Sequence, residues 1–176
     1  MRYLYLFSFV LFLLSCTKDV QTVIKADLYN AHQDRVGEAK FTEHPEGVEI
    51  TLQVEGLTPG YHGIHIHEEA KCEGPDFKSA GDHWNPEGKE HGLLNPEGAH
   101  LGDLPNVLAD EKGEVNTTLI LANATLLDKG FSLLEREGTS IIIHEHEDDG
   151  MTQPTGDSGD RIVCGIISKK KDGNET

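Results

Sequence analysis

The chain has 176 residues, which suits a single domain, and its formal net charge is -16 with histidine counted as neutral. A surface this acidic repels phosphate groups, so we exclude nucleic acid as a partner. Only 6% of the residues are aromatic, whereas glycine occurs 19 times, which favours a lean aliphatic core and many turns. The same negative field would repel an anionic substrate unless cations lie close to the site.

The N-terminal residues are typical of an export signal. Arg2 is followed by an apolar run that is short for a membrane-spanning helix. The run ends in Leu-Leu-Ser-Cys at Cys16, which resembles the lipobox of bacterial lipoproteins, where the signal is cut before a cysteine that is then lipidated. We therefore expect residues 1–15 to be a signal peptide, Cys16 to be the lipidation site and residues 16–19 to be a tether. An ordinary secretory signal or a signal anchor is the alternative.

In either case the chain leaves the cytoplasm. Lipidation would hold it to a membrane of the bacterial cell envelope, facing the periplasm or the exterior. Thr17 is not the aspartate associated with inner-membrane retention, which favours the outer membrane. We expect residues 20–170 to form the folded domain and residues 171–176 to be a charged, flexible tail.

Two cysteines remain in the exported part, Cys72 and Cys164. An even number of cysteines outside the cytoplasm predicts a disulfide, and neither residue belongs to a C-x-x-C redox motif. The bond would close a loop of about 92 residues, worth roughly 4 to 5 kcal/mol in the chain-entropy model. The alternative is a pair of free buried thiols.

Short segments in which apolar and polar residues alternate predict eight β-strands. Residues 48–54, for example, have their apolar side chains on one face, as in a half-buried antiparallel strand. Almost no helical periodicity is present, although a short helical turn is expected around Leu126 and Leu127. The pattern predicts an all-β antiparallel sandwich or barrel. The predicted strands are 20–29, 36–42, 48–54, 61–68, 107–109, 114–122, 139–145 and 161–168.

Five histidines and an aspartate lie close together in the sequence, mostly in a long segment without strand pattern, 69–105. Imidazole nitrogen suits copper and zinc, and a carboxylate can complete a zinc tetrahedron. His65 and His67 are two residues apart on a predicted strand, so they face one side while Ile66 packs into the core. His144, on another strand, can supply a third nitrogen. The loop residues form a second set of three nitrogens and one oxygen: His83, His91, His100 and Asp103. Each histidine alone would be read as a surface residue.

Five motifs make residues 20–168 resemble the copper/zinc superoxide dismutase family. They are GIHIHE at 63–68, SAGDHWNP at 79–86, HG at 91–92, HLGDL at 100–104 and GDRIVCG at 159–165. The resemblance implies an eight-stranded antiparallel Greek-key barrel or sandwich, immunoglobulin-like, with two long functional loops. It also implies one copper ion and one zinc ion per chain.

The resemblance further implies a role for each matching residue. The copper ligands would be His65, His67, His83 and His144. The zinc ligands would be His83, His91, His100 and Asp103. Asp148 would join the two metal sites through His65 and His91, and Cys72 and Cys164 would form the intrasubunit disulfide. The reaction would be disproportionation of superoxide to dioxygen and hydrogen peroxide, with His83 passing a proton and Arg161 holding the anion beside copper.

The second long loop, 147–160, departs from the family because it has no Lys or Arg. Animal members steer substrate partly with a lysine there. Guidance would then rest on Arg161 and on lysines such as Lys78 or Lys89. His146 is an additional histidine, either a solvated loop residue or an accessory metal contact.

Three further points concern the other histidines, the oligomeric state and the alternative functions. His32, His44 and His62 are expected to be structural or surface residues. A homodimer is neither predicted nor excluded. The main alternative function is a non-catalytic lipoprotein that buffers copper or zinc, which would need neither an anion guide nor a bridge between the metals. A structural or adhesive β-sandwich would leave the histidines unexplained.

Overall fold

Eleven β-segments form in residues 22–169, the part of the chain that the computed structural model describes. A single short 3-10 helix, Lys78–Ala80, accompanies them in that part. The segments are β1 (Val23–Asn30), β2 (Arg35–His44), β3 (Gly47–Val54), β4 (Gly60–His62), β5 (Ile64–His67), β6 (Val107–Ala109), β7 (Val115–Ala122), β8 (Ala124–Thr125), β9 (Phe131–Ser132), β10 (Thr139–His144) and β11 (Arg161–Ile167).

The predicted all-β class is confirmed, and every predicted strand is present. The fourth divides at Gly63 because its two parts pair with different partners, β4 with β6 and β5 with β10. The helical turn predicted around Leu126 and Leu127 is wrong. The chain instead bends between β8 and β9, and the Glu43 carboxylate accepts hydrogen bonds from Thr125 Oγ1 at 2.6 Å and Leu126 N at 2.8 Å.

Seven strands form one antiparallel sheet in the order β5-β10-β11-β1-β2-β3-β7. At one end β6 lies against β7, and β6 pairs with β4, which leads directly into β5 at the other end. The sheet therefore curls into a barrel. Chain neighbours are not always sheet neighbours, since β1 lies between β11 and β2.

Alternation along the strands decides what enters the barrel. In β5, Ile64 and Ile66 are fully buried in the main core, and in β10 Ile141 and Ile143 join them. Ile142 points the other way and packs with Phe77, Ala80 and Cys164. All six residues of β10 are buried, because loops cover its outer face. The outer face of β5 and β10 is thus a second buried layer.

The disulfide between Cys72 and Cys164 ties the first long loop to β11 beside this second layer. The predicted signal peptide, Cys16, the tether and the tail lie outside the described residues. Across residues 22–169, no helix combines the length and apolar composition that crossing a membrane requires.

Candidate metal centre

The outer face of the barrel wall carries the strand histidines. His65 and His67 alternate with Ile64 and Ile66 on β5, so their rings leave the core on the same side. Ile142 lies opposite His65 on β10, and His144 ends that strand. The three rings are buried, with exposures of 2% or less.

The first long loop returns to the free edge of β5 and brings its ligands there. Isolated bridges pair His67 with His83 and His65 with Asp103. Backbone hydrogen bonds extend these bridges: Trp84 N donates to Ile66 O at 2.8 Å, and Ile66 N donates to Gly102 O at 2.9 Å. The loop is therefore ordered by strand-like pairing, which explains how residues far from β5 in sequence reach its outer face.

Four imidazole nitrogens converge without a hydrogen-bond partner in this second layer. They are His65 Nδ1, His67 Nε2, His83 Nε2 and His144 Nε2, and one ligand atom from each residue lies within 4.8 Å of the others. The opposite nitrogens of the strand histidines bond to acceptors: His67 Nδ1 to Gly81 O at 3.0 Å and His144 Nδ1 to Gly159 O at 3.3 Å. Buried polar atoms are rarely left unpaired, so this arrangement fits a transition metal that imidazole binds well, such as copper.

A second set of ligand atoms lies on the other side of His83. Its Nδ1 is 2.9 Å from Asp103 Oδ1 and 3.4 Å from His100 Nδ1, and His91 Nδ1 is 3.0 Å from Asp103 Oδ2. Ligands at zinc distances in a tetrahedron are separated by roughly 3.3 Å. The three nitrogens and one oxygen therefore fit zinc. The structure brings together every residue of both predicted sets, with His83 in each.

Asp148 contacts one histidine of each set, at the ring nitrogen opposite the one that faces the ligand cluster. Its Oδ2 lies 2.6 Å from His65 Nε2, and its Oδ1 lies 3.1 Å from His91 Nε2. Gly150 N also donates to Oδ1 at 2.7 Å. Gly156 passes so close that a Cβ there would overlap the carboxylate, which explains a glycine at this position. A carboxylate that orients ligating histidines is a recurrent feature of metal sites.

Three positioning residues were not found from the sequence. Gln153 holds the His91 backbone, accepting from His91 N at 2.9 Å and donating to His91 O at 2.8 Å. Asn106 does the same for Asp148, at 2.9 and 2.8 Å. His62 is 1% exposed, and its Nδ1 lies 2.7 Å from His144 O. The only sequence signal for Gln153 and Asn106 was that amide side chains occur in or next to the two long loops.

Burial and charge act differently on the histidines of the two sets. Burial lowers the pKa of His83 to about 4 and the pKa of His144 to about 3, so both are neutral at physiological pH, as a ligand must be. Burial also lowers the pKa of His65 and of His67. For His91, burial is outweighed by hydrogen bonds to Asp103 and Asp148, which raise its pKa to about 9.

Arg161 lies at the edge of the site, on the first residue of β11. It is partly buried, and its Nη1 donates to Phe77 O at 3.0 Å, so the loop tied down by the disulfide holds its side chain. Burial lowers the pKa of Arg161 from its ordinary value, and the charge of Asp82 partly opposes this. Arg161 and His83 line one cavity, so the guanidinium faces the same open space as the ring that the two ligand sets share.

The remaining predicted residues lie away from this centre or at its rim. Lys78 and Lys89 pair with neighbouring carboxylates, Asp76 at 2.8 Å and Glu87 at 3.0 Å. His146 is exposed beside Glu145, at 3.6 Å, and belongs to neither ligand set. Trp84 is 8% exposed and packs with the main core. His62 is structural rather than a surface residue.

Comparisons with known proteins agree with this geometry. The family model for copper/zinc superoxide dismutase matches residues 35–167. A superoxide dismutase [Cu-Zn] from Aquifex aeolicus is 42% identical over 160 residues, covering 90% of this chain and 94% of that protein. A SOD-like protein from Bacillus subtilis, solved as a double mutant, superposes with a TM-score of 0.80 at 40% identity, covering 82% of this chain and 97% of that one.

A Cu/Zn superoxide dismutase from Brucella abortus superposes with a TM-score of 0.70 at 30% identity, covering 83% of this chain and 99% of that chain. The barrel and the two converging ligand sets are those of a metal-dependent oxidoreductase, and these relatives are bacterial. The chain belongs to the copper/zinc superoxide dismutase family.

Proposed function

We propose that the chain disproportionates superoxide to dioxygen and hydrogen peroxide at one copper ion, held by His65, His67, His83 and His144. One zinc ion would be held by His83, His91, His100 and Asp103. The observation that carries the proposal is the double role of one ring. His83 turns Nε2 toward the unpartnered nitrogens of the strand histidines and Nδ1 toward Asp103, at 2.9 Å. A deprotonated imidazole can bind a metal at each of its nitrogens.

Bound copper would supply an electron acceptor and donor, because it is stable in two oxidation states, while zinc has no redox chemistry. The chain supplies the rest. The strand histidines are held by the barrel and by acceptors on their second nitrogens, so their lone pairs need no reorganisation. His83 is placed to pass a proton to the product at the nitrogen that faces the copper set.

Arg161 would attract and hold the substrate. Superoxide carries one negative charge, whereas the chain carries a formal net charge of -16. A cation held beside the site is therefore needed to correct the local field. The hydrogen bond from Arg161 Nη1 to Phe77 O at 3.0 Å keeps the guanidinium in place before substrate arrives.

Removing Arg161 distinguishes an enzyme from a metal buffer. We expect Arg161→Ala to lower superoxide consumption by about tenfold, because on-rates of charged ligands depend on such fields, while copper and zinc content stay unchanged. Arg35→Ala is the matched control, since Arg35 forms exposed ion pairs on β2. Unchanged turnover in Arg161→Ala would refute the anion-holding role, and turnover that survives complete chelation would refute the metal-dependent reaction.

The location in the cell envelope is part of the same proposal and is supported by the sequence around Cys16. Lipidation at Cys16 would add apolar chains that anchor the exported domain to a membrane. Cys16→Ser should release the protein from the membrane fraction, and mass spectrometry of the N-terminal peptide should find lipid on Cys16. An unmodified Cys16 in membrane-bound protein would contradict it. Sedimentation of the released domain would decide whether it is a homodimer.

A further inference from the structure

A cavity of about 570 Å³ lies beside the metal centre. His83 and Arg161 form part of its lining, and another part comes from Glu135, Arg136 and Thr139, at and just before the start of β10. Superoxide has only two heavy atoms, and one water molecule occupies roughly 30 Å³ in the liquid. The cavity is therefore much larger than a binding slot for superoxide, and Arg161 forms part of its wall.

Taken together, the charged residues that line this cavity do not favour an anion. Three acidic side chains, Glu68, Asp82 and Glu135, accompany two arginines, Arg136 and Arg161. The charge of Asp82 acts directly on Arg161. Part of the field of Arg161 is thus offset, and a second cation in the cavity gains importance.

Arg136 is the second cation, and its charge is not taken up by a neighbour. It forms no ion pair with any residue in 22–169, whereas Lys78 and Lys89 are each paired with a carboxylate at 2.8 and 3.0 Å. Neither lysine lines the cavity. The two lysines that the sequence suggested as guidance residues therefore do not face the cavity, whereas Arg136 does.

The backbone at Arg136 also departs from what local preference would select. Its φ is 55°, in the left-handed region, which is unfavourable for a residue with a Cβ. The turn is closed by Gly138 N, which donates to Glu135 O at 2.9 Å. A glycine would adopt this conformation without that cost. An arginine at this point therefore suggests a use for its side chain.

We propose that Arg136 guides superoxide into the cavity and so acts together with Arg161, in place of a lysine in the second loop. This inference rests on the proposed function, since it assigns a steering residue to the same reaction. Arg136 does not hold the substrate at the metal. It raises the local concentration of the anion at the entrance, and its effect is therefore screened by salt.

Kinetics at several ionic strengths test the proposal. Arg136→Gln should lower the second-order rate constant for superoxide consumption about threefold at low ionic strength, and the difference from the unsubstituted protein should vanish as salt is added. Arg136→Lys should keep most of the rate. Lys40→Gln is the control, because Lys40 is exposed on β2, has no ion pair in the described chain and lies outside the cavity. An unchanged rate, or a loss that is equal at every ionic strength, would overturn the guidance role.

A second measurement needs no turnover. Trp84 is the single tryptophan of the sequence, and it lines the same cavity. In the metal-loaded full chain, Arg136→Gln should reduce the quenching of Trp84 fluorescence by iodide about twofold and leave quenching by neutral acrylamide unchanged. Unchanged iodide quenching would refute the role of Arg136. A wild-type protein that binds both metals but consumes no superoxide would instead refute the proposed function.

Discussion

The two halves of the metal centre are built in different ways. The copper half has three histidines on two paired strands, no carboxylate ligand and low imidazole pKa values. The zinc half lies on a loop, includes Asp103, and holds His91 between two carboxylates that raise its pKa to about 9. Strands that belong to the barrel position the first half before any metal arrives. The second half gathers negative charge that a dication would neutralise.

The two halves should respond differently when no metal is bound. Buried rings on strands keep their positions when no ion is present, because the barrel holds them, although their ligand nitrogens then lack a partner. Loop residues around a carboxylate depend on hydrogen bonds to one another, such as that between His83 and Asp103 at 2.9 Å. We therefore expect the copper half to be preorganised and the zinc half to be stabilised by its ion.

Removing the ring that both halves share should have the largest effect. We expect His83→Gln to lower the content of both metals and to reduce superoxide consumption by about a hundredfold or more, since each set loses a ligand. His144→Gln should lose copper and keep zinc, and His100→Gln should do the reverse. Elemental analysis of the purified variants measures this. A His83→Gln protein that retains both ions in full would show that the halves are independent.

Removing the connecting carboxylate should affect the zinc half more than the copper half. Asp148→Asn leaves His91 without one of its two anionic partners, and we expect zinc affinity to fall about tenfold to a hundredfold. Copper affinity should fall less, although His65 also loses its contact with Asp148 at 2.6 Å, because His67 and His144 are oriented by backbone oxygens at 3.0 and 3.3 Å. Competition with a chelator measures both affinities, with Asp149→Asn as the exposed neighbouring control. Equal losses for the two metals would contradict the comparison.

Removing His62 should weaken the framework of the copper half. Its nitrogens lie 2.7 Å from His144 O and 2.8 Å from Thr58 O, so His62→Ala removes the ring that contacts the buried His144 carbonyl. We expect the free energy of unfolding to fall by about 1–3 kcal/mol in denaturant titrations. His32→Ala, on an exposed turn, should stay within about 0.5 kcal/mol. Equal effects of the two substitutions would disprove a supporting role.

In the metal-free protein, histidines of the two halves should lower the free energy of unfolding at opposite ends of the pH range. Burial lowers the pKa of His83 to about 4 from its ordinary 6.5, so the unfolded chain takes up a proton first and stability falls as pH drops below 6.5. The pKa of His91 is raised to about 9, so its contribution is complete below pH 6.5 and is lost as pH rises through 9. Denaturation midpoints across this range measure both limbs. His91→Gln should flatten only the alkaline limb, and an unaltered alkaline limb would contradict the assignment.

Much of the fold and of the centre was predictable from local patterns. Alternation in residues 48–54 and around Ile66 indicated which side chains enter the barrel, because successive residues of a strand face opposite sides. The spacing of His65 and His67 then placed both rings on the outer face. The break at Gly63 and the bend after Thr125 were not predictable. They depend on pairing with β6 and on the Glu43 carboxylate, which lie far away in sequence.

Composition and spacing alone thus decided the all-β class, the face of each strand residue and the two groups of ligand types. Tertiary structure alone decided which nitrogen of each ring is free, how the loop returns to β5, and that His62 and Arg136 belong to the site. The reason is physical. Side-chain alternation is a local property of the backbone, whereas hydrogen bonds such as those of Asp148 to His65 and His91 join segments more than fifty residues apart.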